Sequence, residues 1–177
     1  DVYKRQGHGF HSYLKRGEPF RFTENCSSDL AEIHSMSMEF LVWPYLNETM
    51  PEAQIDRYKY QHLKGALSFI PYGCAVDEFQ ETVYDHPEMT PNQRLDLWKK
   101  LEQEYMPFRH YDNQSFLSEG RFWQRQTHIY KWPFYYIDYV LAQTCAMQVH
   151  FLCEENREKG WNCYMDILRS VSYTHLT

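Results

Sequence analysis

The sequence predicts an all-α fold, on three observations. Apolar residues recur at helical spacing in several segments, whereas the alternation typical of strands is nearly absent. Hydrophobic residues make up 43% of the 177 residues, so the chain can bury enough apolar surface to order itself. Only 7 Gly and 8 Pro interrupt it, and no internal repeat or low-complexity linker occurs. We therefore expect a multi-helix protein without a domain boundary.

The first helix expected after the polar loop at 15–25 is marked by its start, its spacing and its end. Residues 27–29, Ser-Ser-Asp, offer N-cap side chains for a helix over 30–43, which Pro44 would stop. Before the loop, 7–13 is a short stretch that contains two histidines. The apolar residues at helical spacing are Leu30, Ile33, Met36, Phe40 and Leu41.

A second helix is expected after Pro51. Pro71 and Gly73 would kink or break it, and a further helical stretch would reach about Tyr84. The apolar residues that predict the second helix are Ile55, Tyr58, Leu63, Ala66 and Phe69.

The second half of the chain contains the clearest start signal. Residues 90–93, Thr-Pro-Asn-Gln, form a capping box with proline at the first helical position, which predicts a helix to about Tyr105. Residues 112–120 are expected to form a loop. The segment 134–155 is apolar on nearly every face and predicts a buried helix. We expect Gly160 to stop it before a final short helix.

Charge and cysteine content exclude several functional classes. A net charge of −6 and a pI of about 5.8 argue against a nucleic-acid binder, since such proteins neutralise phosphates with Lys and Arg. Neither a membrane span nor a signal peptide is expected, because no long apolar run occurs. An odd number of cysteines without a Cys-x-x-Cys pair is typical of reduced thiols in a cytoplasmic protein. These are Cys26, Cys74, Cys145, Cys153 and Cys163.

Both ends of the chain read like translated adapter DNA. Residues 1–6 back-translate to GAT GTG TAT AAG AGA CAG. The reverse complement, in another frame, contains GTC TCT TAT ACA CAT, which encodes Val-Ser-Tyr-Thr-His, the start of 171–177. The element is similar to the transposon end used to prepare sequencing libraries. We therefore expect 1–6 and 171–177 to be non-native and 7–170 to be native sequence cut at both sides.

The strongest chemical signal is His8 with Glu32, 24 residues apart. A zinc peptidase of the His-Glu-x-x-His type needs two imidazoles one helical turn apart, so that both reach one ion, and a third ligand from another element. The segment that begins Gly7-His8 is compatible with the second half of such a motif. Glu32 and Glu39 are seven residues apart and lie on one face of the following helix.

With these residues the sequence resembles the thimet oligopeptidase and oligoendopeptidase F family of zinc peptidases, which are gluzincins. Its members place a glutamate ligand about 24 or 25 residues after the second histidine, within Glu-x-x-Ser-x-x-x-Glu. Glu32, Ser35 and Glu39 match that pattern.

Two further segments carry the resemblance. Arg125-Gln126-Thr127-His128 precedes the tyrosine-rich segment 133–139, where family members carry a histidine and tyrosines. The segment 71–80 is similar to the bacterial branch. Together the matches cover 7–170, and they imply a partial, all-α catalytic domain of a zincin-like oligopeptidase.

The resemblance implies roles for these residues. The intact parent enzyme would bind Zn²⁺ through His8 and Glu32 and hydrolyse short oligopeptides with a zinc-activated water. Glu39 would orient a ligand histidine or a neighbouring donor. His128 and a tyrosine would donate hydrogen bonds to the developing oxyanion, and Tyr139 is favoured over the other candidates, Tyr135 and Tyr136.

The chain departs from the family at two motif positions. If His8 is the second histidine, Lys4 stands where the first histidine ligand belongs and Arg5 where the general-base glutamate belongs. Two ligands do not make a tight zinc site, and added positive charge repels the ion. We therefore expect this chain to be inactive.

Two other classes of protein compete with this interpretation. A non-catalytic helical interaction module would explain the composition and the absent half of the motif. A di-iron carboxylate bundle needs Glu-x-x-His pairs, and none occurs in the sequence. Taken singly, His8 and Glu32 are most often surface residues and a tyrosine run is most often core, so the peptidase hypothesis depends on their order and spacing. His34, His62, His86 and His110 are expected to be structural.

Overall fold

The computed structural model describes residues 2–16, 28–112 and 114–169. Regular structure in these ranges is helical, with no strand, which confirms the all-α prediction. The α-helices are α1 (Val2–Lys15), α2 (Ser28–Leu41), α3 (Glu52–Asp85), α4 (Pro91–Tyr105), α5 (Thr127–Lys131), α6 (Tyr136–Glu155) and α7 (Arg157–Arg169). Shorter 3₁₀ segments are Trp43–Glu48 and Phe122–Arg125, and Leu117–Arg121 is π-helical.

The chain divides into two compact units, although the sequence indicated no domain boundary. Unit 1 comprises 1–64 and 141–177, and unit 2 comprises Gly65–Val140. The division falls inside α3 and inside α6, where no Pro, Gly or Ser cluster marks a linker. A division within a continuous helix has no compositional signature.

Unit 1 is built on the packing of α1 and α7 against α2. A Cβ at Gly7 would lie 2.6 Å from the carbonyl oxygen of His34 and 2.7 Å from Cα of Ser35, so only glycine permits this approach of α1 to α2. The apolar residues predicted on α2 are buried, as expected. The largest fully buried hydrophobic side chains of the unit are Leu30, Ile33, Phe40, Leu46, Tyr164 and Leu168.

The boundaries of α2 and α7 correct two expectations. Pro44 does not directly stop α2, which ends at Leu41 and is followed by a 3₁₀ turn that accepts the proline in its first residues. The proposed caps at 27–29 lie outside the residues or side chains that the structure describes.

Gly160 is not a helix stop, contrary to expectation, but lies within α7. A Cβ there would lie 2.6 Å from the backbone nitrogen of Cys153, so glycine allows α7 to fold back closely against α6. The break falls at Asn156, whose Oδ1 accepts a hydrogen bond from the backbone N–H of Lys159 at 2.9 Å.

Unit 2 has an aromatic core between α3 and α4. Trp98 is fully buried, and its ring meets Phe79 edge-on at 5.5 Å and Tyr72 at 6.1 Å between centroids. The buried residues of this cluster are Tyr72, Ala75, Val76, Phe79, Trp98, Leu101 and Met106.

The break expected at Pro71 and Gly73 does not occur, because α3 continues from Glu52 to Asp85. A proline inside a helix removes one backbone hydrogen bond, yet the buried face that follows it holds the helical path. A Cβ at Gly73 would collide with Val140, so this glycine provides close packing.

The start of α4 confirms the capping box. The backbone N–H of Thr90 donates to Gln93 Oε1 at 2.8 Å, and the Gln93 N–H donates to Thr90 Oγ1 at 3.4 Å. The loop expected over 112–120 is partly wrong, because Leu117–Arg121 is helical and packs against α4. Tertiary packing stabilises that short segment where local propensity is weak.

The expected burial of the segment 134–155 is also corrected. In helix α6, the Leu141 side chain is 53% exposed and the Phe151 side chain is 59% exposed.

The helices in the described ranges were compared with the length and hydrophobicity that a membrane span requires. None of these helices meets both requirements.

Candidate functional site

The candidate metal ligands His8 and Glu32 meet between α1 and α2 in unit 1. Oε2 of Glu32 lies 3.0 Å from Nζ of Lys4 and 4.0 Å from Nε2 of His8. Lys4 and His8 are four residues apart on α1, so both side chains project from one face toward the same carboxylate. The close helix contact at Gly7 makes this convergence possible.

The carboxylate of Glu32 is buried and compensated. Its side chain is 7% exposed, and it accepts a hydrogen bond from Oγ of Ser35 at 3.2 Å in addition to the ion pair with Lys4. A buried carboxylate requires such partners, because removal from water penalises its charge. Ser35 of the Glu-x-x-Ser pattern therefore helps to hold Glu32 in place.

The imidazole of His8 favours its neutral form. Burial lowers the pKa of His8; the Glu32 carboxylate opposes this shift and the Lys4 ammonium adds to it. A neutral imidazole is the form that binds metals, so the ring has the protonation state that a ligand needs.

The residues present do not fit a tight zinc site. In the described ranges, no group of three or more His, Cys, Asp or Glu is arranged to hold a metal ion. His8 and Glu32 supply two donors, whereas catalytic zinc takes three from the protein. Lys4 instead places an ammonium 3.0 Å from the carboxylate, where it would repel a cation. Arg5 is exposed on α1.

Glu39 lies two turns after Glu32 on α2, and its neighbour is His62. Oε2 of Glu39 is 3.9 Å from Nε2 of His62, whose Nδ1 accepts a hydrogen bond from Nε1 of Trp43 at 3.1 Å. Burial raises the pKa of Glu39 and lowers the pKa of His62. The spacing of His62 in the sequence did not reveal this pairing, because the two residues come from different helices.

His34 is buried in unit 1, as expected for a structural histidine. Its ring stacks on that of His11 at 4.3 Å between centroids, and its Nε2 lies 3.3 Å from the carbonyl oxygen of Ile167. Burial is the main reason that the pKa of His34 falls to about 3.

In unit 2, His128 lies among the three predicted tyrosines. Its ring is parallel to Tyr135 at 6.4 Å between centroids, tilted to Tyr136 at 5.0 Å and edge-on to Tyr139 at 5.6 Å. His128 lies on α5, Tyr136 and Tyr139 lie in the first turn of α6, and Tyr135 directly precedes that helix, so the turn between the two helices brings them together. Burial raises the pKa of Tyr136 to about 12, which keeps its hydroxyl protonated.

The turn before the tyrosines is held by a residue that sequence reasoning missed. Phe134 has a φ of 63°, an uncommon backbone conformation for a non-glycine residue. Its N–H donates to Oε1 of buried Gln80 at 3.1 Å, and its ring contacts Tyr84 at 5.0 Å. These contacts stabilise a turn that would otherwise be strained.

A second glutamine contacts His128 directly. Oε1 of Gln126 accepts a hydrogen bond from the Tyr72 hydroxyl at 2.8 Å, and Nε2 of Gln126 lies 2.6 Å from Nδ1 of His128. Gln126 precedes the first residue of α5. The position of Gln126, two residues before the candidate histidine, was visible in the sequence and could have indicated this contact.

The structure thus brings the predicted residues together in two groups. His8 and Glu32 meet in unit 1, while His128 meets Tyr135, Tyr136 and Tyr139 in unit 2. Glu39 is paired with His62 in unit 1.

Comparison with known proteins identifies the family. The family model described as peptidase family M3 matches residues 3–171. The chain therefore belongs to peptidase family M3. Among curated proteins, no significant match to this sequence was found.

Solved structures of the same family share the fold. A structure assigned as an oligoendopeptidase F has 43% identity and a TM-score of 0.92 over 99% of this chain and 31% of that chain. PZ peptidase A with an inhibitor has 42% identity and a TM-score of 0.92, over 99% and 32%. An oligoendopeptidase F assigned in Bacillus anthracis str. Ames has 34% identity and a TM-score of 0.79, over 99% and 28%. The chain spans about a third of the length of these relatives.

Proposed function

We propose that this chain is part of a zinc-dependent oligoendopeptidase, and that as written it holds no stoichiometric zinc and cleaves no peptide. The observation that carries the proposal is the convergence on Glu32 of positions 4 and 8 of α1. Those positions are one helical turn apart, as two imidazole ligands must be. A lysine at the first of them replaces a neutral donor with a cation.

Glu39 is proposed to orient a neighbouring donor in the intact enzyme. Its place on α2, seven residues after Glu32, and its approach to His62 support this role. Carboxylates beside ligand residues commonly fix their orientation and tune their basicity.

His128 and the tyrosines are proposed to stabilise the transition state of peptide hydrolysis. An imidazole N–H and phenolic hydroxyls can donate hydrogen bonds to the oxyanion that develops on the scissile carbonyl. Tyr139 is the first candidate, with its ring edge-on to His128 at 5.6 Å; Tyr136 and Tyr135 are the alternatives. Removal of one such donor typically lowers the rate about a hundredfold or more.

Short, unstructured oligopeptides are the proposed substrates, and the cytoplasm is the proposed location. The acidic net charge of −6 disfavours nucleic acid as a partner. Five widely spaced cysteines without a Cys-x-x-Cys pair support a reducing compartment.

Metal analysis of the purified chain tests the proposal. We expect no tightly bound zinc in the chain as written, and about one zinc per chain in the double variant Lys4→His/Arg5→Glu. Lys4→Gln/Arg5→Gln is the matched control, because it removes the same two positive charges of α1 without supplying a metal ligand. We expect this control to bind no zinc.

Two results would contradict the proposal. Stoichiometric zinc in the unmodified chain would show that Lys4 does not block the site. A Lys4→His/Arg5→Glu variant that folds, by circular dichroism, and binds no more zinc than the control would show that these positions do not form a metal site.

A further inference from the structure

A chain of hydrogen bonds in unit 2 runs from the aromatic core to His128. The hydroxyl of Tyr72 donates to Oε1 of Gln126 at 2.8 Å, and Nε2 of the same amide lies 2.6 Å from Nδ1 of His128. The first distance is that of a good hydrogen bond, and the second is a short contact between two nitrogens that a hydrogen bond must join. The three residues therefore form one connected polar path.

The chemistry of the amide determines the direction of the second bond. An amide nitrogen carries two hydrogens and no available lone pair, so it donates and does not accept. Nδ1 of His128 must then be the acceptor, and an accepting ring nitrogen carries no proton. In a neutral imidazole the proton is consequently on Nε2.

The hydrogen bond from Tyr72 supports this orientation of the amide. Burial raises the pKa of the Tyr72 hydroxyl, so the hydroxyl keeps its proton near neutral pH, and in the structure it donates this proton to Oε1 of Gln126. The ring is 9% exposed and meets Trp98, Phe122 and Tyr136 edge-on at 5.8–6.1 Å, which fixes the position of the hydroxyl. Rotation of the amide by half a turn would exchange its oxygen and its nitrogen and lose this arrangement.

We infer that Gln126 is a positioning residue that holds His128 as the neutral tautomer with its proton on Nε2, and that Tyr72 fixes the orientation of Gln126. The tautomer decides which nitrogen of the ring can donate. A group that stabilises an oxyanion has to present an N–H, so the proposed role of His128 requires a defined proton position. This consequence rests on the proposed function, whereas the tautomer itself does not.

The nitrogen chemical shifts of the histidine rings test the inference on the chain as it exists. Two-dimensional ¹H–¹⁵N spectra of the ¹⁵N-labelled chain distinguish a protonated ring nitrogen from an unprotonated one. Loss of one set of signals in His128→Gln assigns His128 among the nine histidines. We expect an unprotonated Nδ1 and a protonated Nε2 at neutral pH. A protonated Nδ1, or shifts averaged between two tautomers, would overturn the inference.

A pair of variants separates positioning from a merely structural role. Gln126→Glu replaces the donating amide with an accepting carboxylate of the same shape, so we expect Nδ1 of His128 to become protonated. Gln103→Glu makes the same change at an exposed position on α4 and should leave the ring pattern unchanged. An unchanged pattern in a folded Gln126→Glu variant would overturn the inference.

Tyr72→Phe tests the outer part of the path. Without the hydroxyl the amide is free to turn over, so we expect the His128 shifts to move toward averaged values. A single Nε2–H tautomer in Tyr72→Phe would remove Tyr72 from the inference. None of these measurements involves zinc, so their failure is distinguishable from failure of the metal analysis.

Discussion

The two units stabilise their candidate residues by different physical means. In unit 1, a buried carboxylate is held by an ammonium at 3.0 Å, and a second carboxylate, that of Glu39, lies 3.9 Å from the imidazole of His62. In unit 2, His128 is held by an amide, a hydroxyl and aromatic rings, which stay neutral over the ordinary pH range. The arrangement in unit 1 depends on which charge occupies position 4, whereas the contacts described for His128 in unit 2 are with uncharged groups. A change of one side chain can therefore alter the chemistry of unit 1 without altering that of unit 2.

The largest expected effect comes from the glycine that lets α1 approach α2. Gly7→Leu forces a Cβ to within 2.6 Å of backbone atoms, so we expect a loss of about 3 kcal/mol in the free energy of unfolding. Gly9→Leu is the control two residues away, since a Cβ there has no neighbour within 4 Å. Urea unfolding followed by circular dichroism measures both. Equal stability of the two variants would show that the approach does not determine the site of unit 1.

A somewhat smaller effect is expected from removal of the charge at position 4. Lys4→Met leaves the buried carboxylate of Glu32 without its ion pair, so we expect a loss of about 2 kcal/mol. The cost is lower than for a fully buried pair because the Lys4 side chain is 25% exposed. Lys15→Met, near the end of the same helix, should cost much less. If urea unfolding gives Lys4→Met the stability of the unmodified chain, the ion pair does not stabilise unit 1.

The dependence of stability on pH is expected to come partly from His62. Its pKa is lowered in the folded protein, so below pH 6.5 the unfolded chain binds a proton that the folded chain does not. Stability therefore falls as the pH falls below 6.5, by at most ~1.4 kcal/mol per pH unit for one group. His62→Gln should reduce this slope, and His86→Gln, at an exposed histidine, should not. Identical slopes for both variants, from urea unfolding at several pH values, would exclude His62 as a contributor.

The smallest expected effect is on the neutral hydrogen bonds of unit 2. Tyr72→Phe removes the hydroxyl that donates to Gln126, so we expect a loss of about 1 kcal/mol. Tyr84→Phe is the matched control, because the Tyr84 ring is 56% exposed. Thermal unfolding of both variants measures the difference. A Tyr72→Phe variant as stable as Tyr84→Phe would mean that the path to His128 adds nothing to the stability of unit 2.

The candidate residues were predictable where a motif has a fixed spacing. The spacing of 24 residues between His8 and Glu32 matches the family motif and predicted their pairing. The tyrosines of the segment 133–139, shortly after His128, predicted the second group. Gln126 lies within the segment 125–128 that carries the resemblance, but its proposed role depends on Tyr72, which is 54 residues away. Contacts between distant residues leave no periodic pattern in a single sequence.

The same division applies to the fold. Apolar spacing and the capping box at 90–93 predicted helices α2, α3 and α4, because these signals come from residues a few positions apart, but they predicted neither α1 nor α5. Tertiary structure decided that Pro71 and Gly160 lie inside helices, since buried faces and close helix contacts outweigh the local preference of either residue. It also decided that the carboxylate of Glu32 pairs with an ammonium. The sequence determined which residues share a helix face, and packing determined what each face meets.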